Sequence, residues 1–380
     1  MKTPYMKKAV LIPDSFKGTI SSADICAVME SSIREVYPDC TVLAVPVADG
    51  GEGSVDAFLT ALGGERVFVS VSGPFFEKTE AFYGLTDNGK TAVIEMAAAA
   101  GLPLVSGRED PTRTTTYGVG ELILDAARRG ANKIIVGLGG SCTNDGGCGA
   151  AAAVGIRFLD KNGKSFVPTG ATLSEIVEID HAGRSPLLSG VEIVTMCDID
   201  NPMYGERGAA YVFAPQKGAD PDTVLKLDEG LRHLARVIQT SLKKDVSALP
   251  GGGAAGAMGA GMTAFFDSAL VMGIEAVLDT VRFDEMIADA DVIFTGEGRL
   301  DSQSLSGKAV IGIARRAKKQ NKPVIAVVGG AEGDLTRAYD EGVTAVFTVN
   351  RLPEPLSVSR HFTKDNLQFA MENVLRLLTV

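Results

Sequence analysis

Histidine is scarce in this chain: three occur in 380 residues, His181, His233 and His361, and none stands near the acid, hydroxyl and glycine clusters that dominate the sequence. That placement argues against a histidine-based triad and leaves these residues surface or packing roles. Cysteine is nearly as sparse. Cys26, Cys40, Cys142, Cys148 and Cys197 are odd in number and contain no C-x-x-C pair, so they suit neither a disulfide framework nor a zinc knuckle. They point to a reducing compartment, and with no histidine beside Cys142 or Cys148 in sequence a reactive thiol is not indicated.

Long apolar runs are missing as well. Only four apolar residues, Ala9 to Ile12, separate the basic start from Pro13, too few for a signal peptide, and nothing approaches the ~20 residues of a membrane span. A cytoplasmic protein without a membrane partner is expected. No run of Lys and Arg interrupts a net charge of -10, which disfavours nucleic acid but leaves small anions open, because a few cations and oriented amides set the field inside a cleft.

The usual phosphate motifs also fail. Ser306, Gly307 and Lys308 resemble the end of a Walker A loop, but Ser302 stands five before Gly307 and Ala309 replaces the hydroxyl that would hold magnesium. H-R-D and D-F-G segments are absent. Gly251, Gly253 and Gly256 satisfy G-x-G-x-x-G, yet S-A-L-P precedes them instead of a strand, so close packing is favoured over NAD binding.

What is present is a recurring pattern: an apolar run, then a polar, glycine-bearing cluster. The richest is V-G-L-G-G-S-C-T-N-D-G-G-C-G (Val136 to Gly149), which follows the strand-like K-I-I-V-G-L; such loops offer outward amides to anionic ligands. Ser15, Lys17, Gly18 and Thr19 follow the first strand and suit a phosphate or carboxylate. Asp49 and Glu52 follow the second, fit to orient hydroxyls or hold hydrated Mg²⁺. Asp198 and Asp200, with Lys217 nearby in sequence, and Glu297, Arg299 and Asp301 repeat the pairing of acid and cation that phosphoryl transfer to an alcohol requires.

The spacing predicts an α/β protein. Its length exceeds the ~250–300 residues at which one core usually divides, and 45% hydrophobic against 22% charged residues fits a folded chain. Ala9 to Ile12, a helix capped by Ser21 or Ser22, and Thr41 to Val47 read as a βαβ opening. Alternation from Arg66 and a hairpin turning at Asp87, Asn88 and Gly89 mark a second unit. It holds a helix Gly118 to Arg129, a strand Glu192 to Cys197 and a helix from about Thr223 to Leu242. Regular α/β alternation returns from Asp291, with a helix from about Gly307 to Lys319. Residues 1–70 and 286–380 are expected to share one parallel sheet, with 71–285 as an inserted α/β domain carrying the glycine loop.

Taken together, P-D-S-F-K-G, V-A-D-G-G-E-G-S, the glycine loop, C-D-I-D-N-P-M, V-F-A-P-Q-K-G-A and T-G-E-G-R-L-D-S-Q-S-L-S-G-K resemble the bacterial type I glycerate kinase family, over nearly the whole chain. The departures, Cys142 for a more usual Ala and Ala257 for a common Gly, remove no charge. The resemblance implies a Rossmann-like domain with a second α/β domain inserted into it, and ATP- and Mg²⁺-dependent phosphorylation of D-glycerate, generally to 2-phosphoglycerate, in glyoxylate, glucarate or related carbon use. A homodimer is compatible with it. On this reading Ser15, Lys17, Asp49, Glu52 and Arg299 bind glycerate, and Asp198, or failing that Asp301, accepts the hydroxyl proton, with Lys17 beside the reacting groups. Gly139, Gly140, Ser141, Thr143, Asn144, Asp145 and Lys217 hold the ATP phosphates, and Asp145 is the candidate metal ligand. Rival readings are a 3-phosphoglycerate producer, a kinase for another small hydroxy acid, an NAD-dependent oxidoreductase and a non-catalytic glycerate sensor.

Overall fold

The computed structural model describes residues 6–47, 50, 51, 53–301 and 308–379. The chain opens with strands β1 (Lys8–Leu11) and β2 (Thr41–Ala44), and continues with β3 (Glu65–Ser72), β4 (Lys78–Thr86), β5 (Thr91–Glu95) and β6 (Lys133–Gly137). Three short strands follow, β7 (Arg157–Leu159), β8 (Ser165–Phe166) and β9 (Glu178–Asp180), then β10 (Glu192–Met196) and β11 (Ala269–Val271). The last three are β12 (Val292–Thr295), β13 (Val324–Val328) and β14 (Ala345–Thr348). The fold is α/β.

Two compact units divide these elements. The first takes residues 1–49, 60–62 and 272–380, and the second takes 50–59 and 63–271. The expectation set the chain boundaries at 70/71 and 285/286; the contacts change earlier at both. β3 pairs with β4 along its whole length, from Glu65 opposite Leu85 to Ser72 opposite Lys78, which commits it to the second unit. Arg316 reaches Glu275 and Asp279 on the helix Gly273–Thr280, which keeps that helix with the first.

The first unit is built on a parallel sheet in the order β14-β13-β12-β1-β2, so strands from both ends of the chain lie side by side. β1, β12 and β13 read as apolar runs because both sheet faces are covered. Their Val and Ile side chains are almost wholly buried, each burial contributing about 1.5–3 kcal/mol. Helix Ser22–Val36 begins where Ser21 accepts from the Asp24 amide at 3.1 Å, and its stripe of Ile25, Met29 and Ile33 joins Leu367, Met371 and Leu375 of the last long helix in one core.

The second unit has the order β11-β10-β6-β5-β4-β3, parallel from β11 to β5 and antiparallel from β5 to β3. The β4–β5 hairpin turns at Asp87–Gly89, with Asn88 at φ 53°. Helix Tyr117–Arg128 covers β3–β5, while helix Pro221–Leu242 starts at Asp220, whose side chain accepts from Thr223 N at 2.8 Å. A small antiparallel sheet, β8-β7-β9, packs beside the latter helix. The glycine loop and the Asp198 segment leave the carboxyl ends of the parallel strands β6 and β10, where open α/β sheets present ligand-binding residues.

Candidate active site

β6 runs directly into the glycine loop, and the loop is held close to its neighbours by backbone. Gly139 donates to Gly50 O at 3.1 Å, and a Cβ on Gly139 would lie 2.5 Å from Gly51 Cα, so no side chain fits there. On the far side the loop meets Gly256, whose φ is +65° and whose carbonyl accepts from Gly146 N at 3.0 Å. A Cβ on Gly256 would sit 2.0 Å from Thr143 O. The G-x-G-x-x-G segment is therefore a packing surface for the glycine loop, and its fingerprint resemblance has no strand before it.

Asp145 is fully buried. Its Oδ2 accepts from Thr116 N at 2.7 Å, Thr116 Oγ1 at 2.8 Å and Gly149 N at 3.2 Å, and its Oδ1 accepts from Gly147 N at 3.1 Å. Burial raises its carboxyl above the usual range, and the bonds from Thr116, Gly147 and Gly149 oppose that rise. With four protein donors on the carboxylate, this geometry fits an anchor for the loop. Thr114 Oγ1 ties the same loop through Cys142 O at 2.9 Å.

Lys217 ends the turn Pro215–Lys217 and is 2% exposed. Its Nζ donates to Ser141 Oγ at 2.8 Å and to Thr143 O at 2.7 Å, which leaves the third hydrogen of the ammonium for another acceptor. Burial pulls the lysine down to about 8, against the raising influence of Cys142 and Asp145. Beside it, Asn144 Nδ2, Asn144 Oδ1 and Thr143 Oγ1 are buried without a hydrogen-bond partner. Buried amides are rarely left so, and this cluster offers both donors and an acceptor to an anionic, oxygen-rich group. Ser141 and Thr143 lie against Lys217, and Gly140, at φ +75°, turns the chain between them and β6.

Asp198 follows β10, next to β6 in the sheet, and is half-buried. The segment after it is stapled to the glycine-rich turn by Gly253 N donating to Asn201 O at 2.9 Å. Asp200 pairs with Arg207 at 3.3 Å on the surface, which makes it the less suited of the two acids.

In the first unit, β1 and β12 deliver their loops side by side. Asp14 N donates to Gly296 O at 2.8 Å, Thr295 Oγ1 donates to Ile12 O at 2.9 Å, and the absent side chain of Gly298 faces the Phe16 and Lys17 backbone. Ser15 is half-buried, with its amide on Asp14 Oδ1 at 2.7 Å, and Lys17 is exposed. Arg299 forms an ion pair with Glu332 and stands 3.7 Å from Asp301, so a substrate carboxylate would compete with two acids for it. Asp49, Glu52 and the segment 302–307 lie outside the described residues.

Thr114, Thr116 and Glu95 escaped the sequence reading. All three are buried; Glu95 ends β5 and accepts from Val55 N at 2.7 Å. The same signal used elsewhere, an acid at the end of an apolar strand, marks Glu95, whereas the threonine run preceding a helix carries no chemical signature by itself. Burial pushes the Cys142 thiol up to about 12 and also raises the Cys148 thiol well above its ordinary value, which makes both inert. His181 meets Phe265 O at 3.2 Å and His233 meets Ile176 O at 2.7 Å, both packing roles.

Comparison with known proteins places these motifs in context. Residues 9–379 match the model of the glycerate kinase family. A glycerate 2-kinase from Escherichia coli (strain K12) is 43% identical over 98% of both chains, and a glycerate kinase from Bacillus cereus is 42% identical over 97% of both. A crystal structure assigned as glycerate kinase 2 of Salmonella typhimurium LT2 superposes with a TM-score of 0.87 at 42% identity, covering 98% of each chain. With near-complete coverage by sequence and by fold, this chain belongs to the glycerate kinase family.

Proposed function

We propose that this protein transfers the γ-phosphoryl group of ATP to the 2-hydroxyl of D-glycerate, giving 2-phosphoglycerate and ADP. The observation that carries the reading is the buried cluster that Lys217 forms with Asn144 and Thr143 of the glycine loop, in a chain from a kinase family. Phosphoryl transfer asks a protein mainly for positioning and for cations on the phosphate oxygens. Gly139, Gly140, Ser141, Thr143 and Asn144 hold the phosphates with Lys217. Mg²⁺ comes with the nucleotide and spreads the charge of its phosphates, since it binds through few carboxylates and keeps several waters. Among the described residues no group of three His, Cys, Asp or Glu side chains gathers as a metal site.

The substrate hydroxyl oxygen attacks phosphorus as the bond to the ADP oxygen breaks, and Asp198 receives the hydroxyl proton, with Asp301 the second candidate. Ser15, Lys17, Asp49, Glu52 and Arg299 take the carboxylate and hydroxyls of glycerate. The name of the Escherichia coli relative supports the 2-product over the 3-product. No helix among the described residues is long and apolar enough to cross a membrane; a cytoplasmic enzyme of organic-acid use fits, alone or as a homodimer.

The test incubates the protein with ATP, Mg²⁺ and D-glycerate, then adds enolase without phosphoglycerate mutase and follows phosphoenolpyruvate absorbance. Signal is the expected result. ADP release without signal until mutase is added would replace the 2-product by the 3-product, and no ADP release would overturn the kinase reading for this substrate.

A further inference from the structure

The glycine loop contains a contrast between adjacent residues. Asn144 is buried with neither amide atom paired, whereas Asp145 is buried with four hydrogen bonds. A loop folded only for stability would not leave one polar side chain unmatched while saturating the next, because an unpaired buried amide costs about 1–3 kcal/mol. The donors to Asp145 come from two places: Gly147 and Gly149 within the loop, and Thr116 at the start of helix Tyr117–Arg128. Thr116 Oγ1 also accepts from Ala150 N at 2.9 Å, so this one hydroxyl bridges the carboxylate and the helix that follows the loop. The carboxylate thus fixes the backbone immediately after Asn144 and two residues after Thr143, whose carbonyl holds Lys217.

We infer that Asp145 and Thr116 form a positioning pair, which locks the glycine loop so that the Asn144 amide and the third hydrogen of Lys217 Nζ meet the phosphate oxygens of the nucleotide. The inference rests on the ATP reading of this loop. Neither residue touches the nucleotide; both act through the loop backbone. Asparagine at 145 has nearly the same shape but must turn an NH₂ toward either Gly147 N–H or the donors of Thr116 and Gly149, so one side of the lock becomes a donor facing donors. Valine at 116 keeps the volume and removes the bridging hydroxyl.

The test measures calorimetric binding of a non-hydrolysable ATP analogue with Mg²⁺, separate KM values for ATP and D-glycerate, kcat and Tm, for wild type, Asp145→Asn, Thr116→Val and Thr116→Ser. Asp145→Asn is expected to lose about tenfold or more in analogue affinity and about a hundredfold in kcat, with the D-glycerate KM within about twofold of wild type. Thr116→Val should fall between, and Thr116→Ser should return to within about threefold of wild type by restoring the bridging oxygen. Folded variants that keep wild-type analogue affinity and kcat overturn the pair, as does equal loss of both ligands, or a serine variant no better than valine. If Asp145→Asn does not fold, the Thr116 variants decide alone. Wild type that binds no analogue overturns the ATP reading and the pair with it; wild-type binding retained by the variants overturns only the pair.

Discussion

At the scale of single residues, Lys217 links stability and activity with opposite signs. Its pKa in the fold is about 8, below the ordinary 10.5, because burial penalises the ammonium. Below about pH 8 both folded and unfolded chains carry the proton and the full penalty stands. Between about 8 and 10.5 the unfolded chain keeps a proton that the folded chain has released, so this group adds stability as pH rises. Activity should move the other way. On the proposed reading the phosphates need the ammonium, so kcat/KM for ATP is expected to fall above about pH 8, while the limb in kcat moves to higher pH because bound phosphate favours the charged form. A pH–rate profile checks this, and a kcat/KM flat to pH 10 would remove Lys217 from the phosphate site. The sequence marks Lys217 only as a cation near an acid pair. Its complete burial against Ser141 and Thr143 depends on contacts across more than seventy positions, which no local pattern encodes.

At the scale of elements, the turn that opens helix Ala254–Phe266 carries strain. Ala255, Gly256 and Ala257 have φ values of 54°, 65° and 66°, and left-handed backbone costs an alanine about 1–2 kcal/mol. Such strain persists where surrounding structure demands it and collects at functional sites. Here it lets the Gly256 backbone approach Thr143 O and accept from Gly146 N. Gly256→Ala is expected to destabilise the protein by at least about 2 kcal/mol, because the 2.0 Å approach is to backbone that must itself move. Urea unfolding measures it, and a change below about 0.5 kcal/mol would show that the loop yields freely. The helices and strands around this turn were legible from their periodicity, and the boundaries differ by a residue or two, as with helix Pro221–Leu242 against the expected Thr223 to Leu242. The partner of the glycine-rich turn was not legible, since glycine spacing states that something comes close without stating what.

At the scale of the whole molecule, each unit has a hydrophobic cluster of its own, one around Ile25, Met29, Phe294 and Leu375 and one around Tyr83, Ile134, Phe158 and Phe265. Cores that do not share side chains need not unfold together. Scanning calorimetry is expected to give a calorimetric enthalpy larger than the van't Hoff enthalpy, and the ATP analogue should raise the transition of the unit that holds the glycine loop. Equal enthalpies in a single transition would show that the units unfold as one.

The sequence by itself determined the strand and helix pattern, because apolar periodicity reports burial directly, and it determined the family, because several weak motifs in fixed order are jointly specific. Tertiary structure alone decided which partners surround the polar residues. Asp145 reads in the sequence as a candidate metal ligand; the fold gives its carboxylate four donors, from positions as far apart as Thr116 and Gly149. Thr114 and Thr116 carried no signal at all until the fold set them against the glycine loop. A carboxylate and a hydroxyl are chemically ambiguous in a sequence; which donors and acceptors surround them is a property of chain segments brought together only by folding.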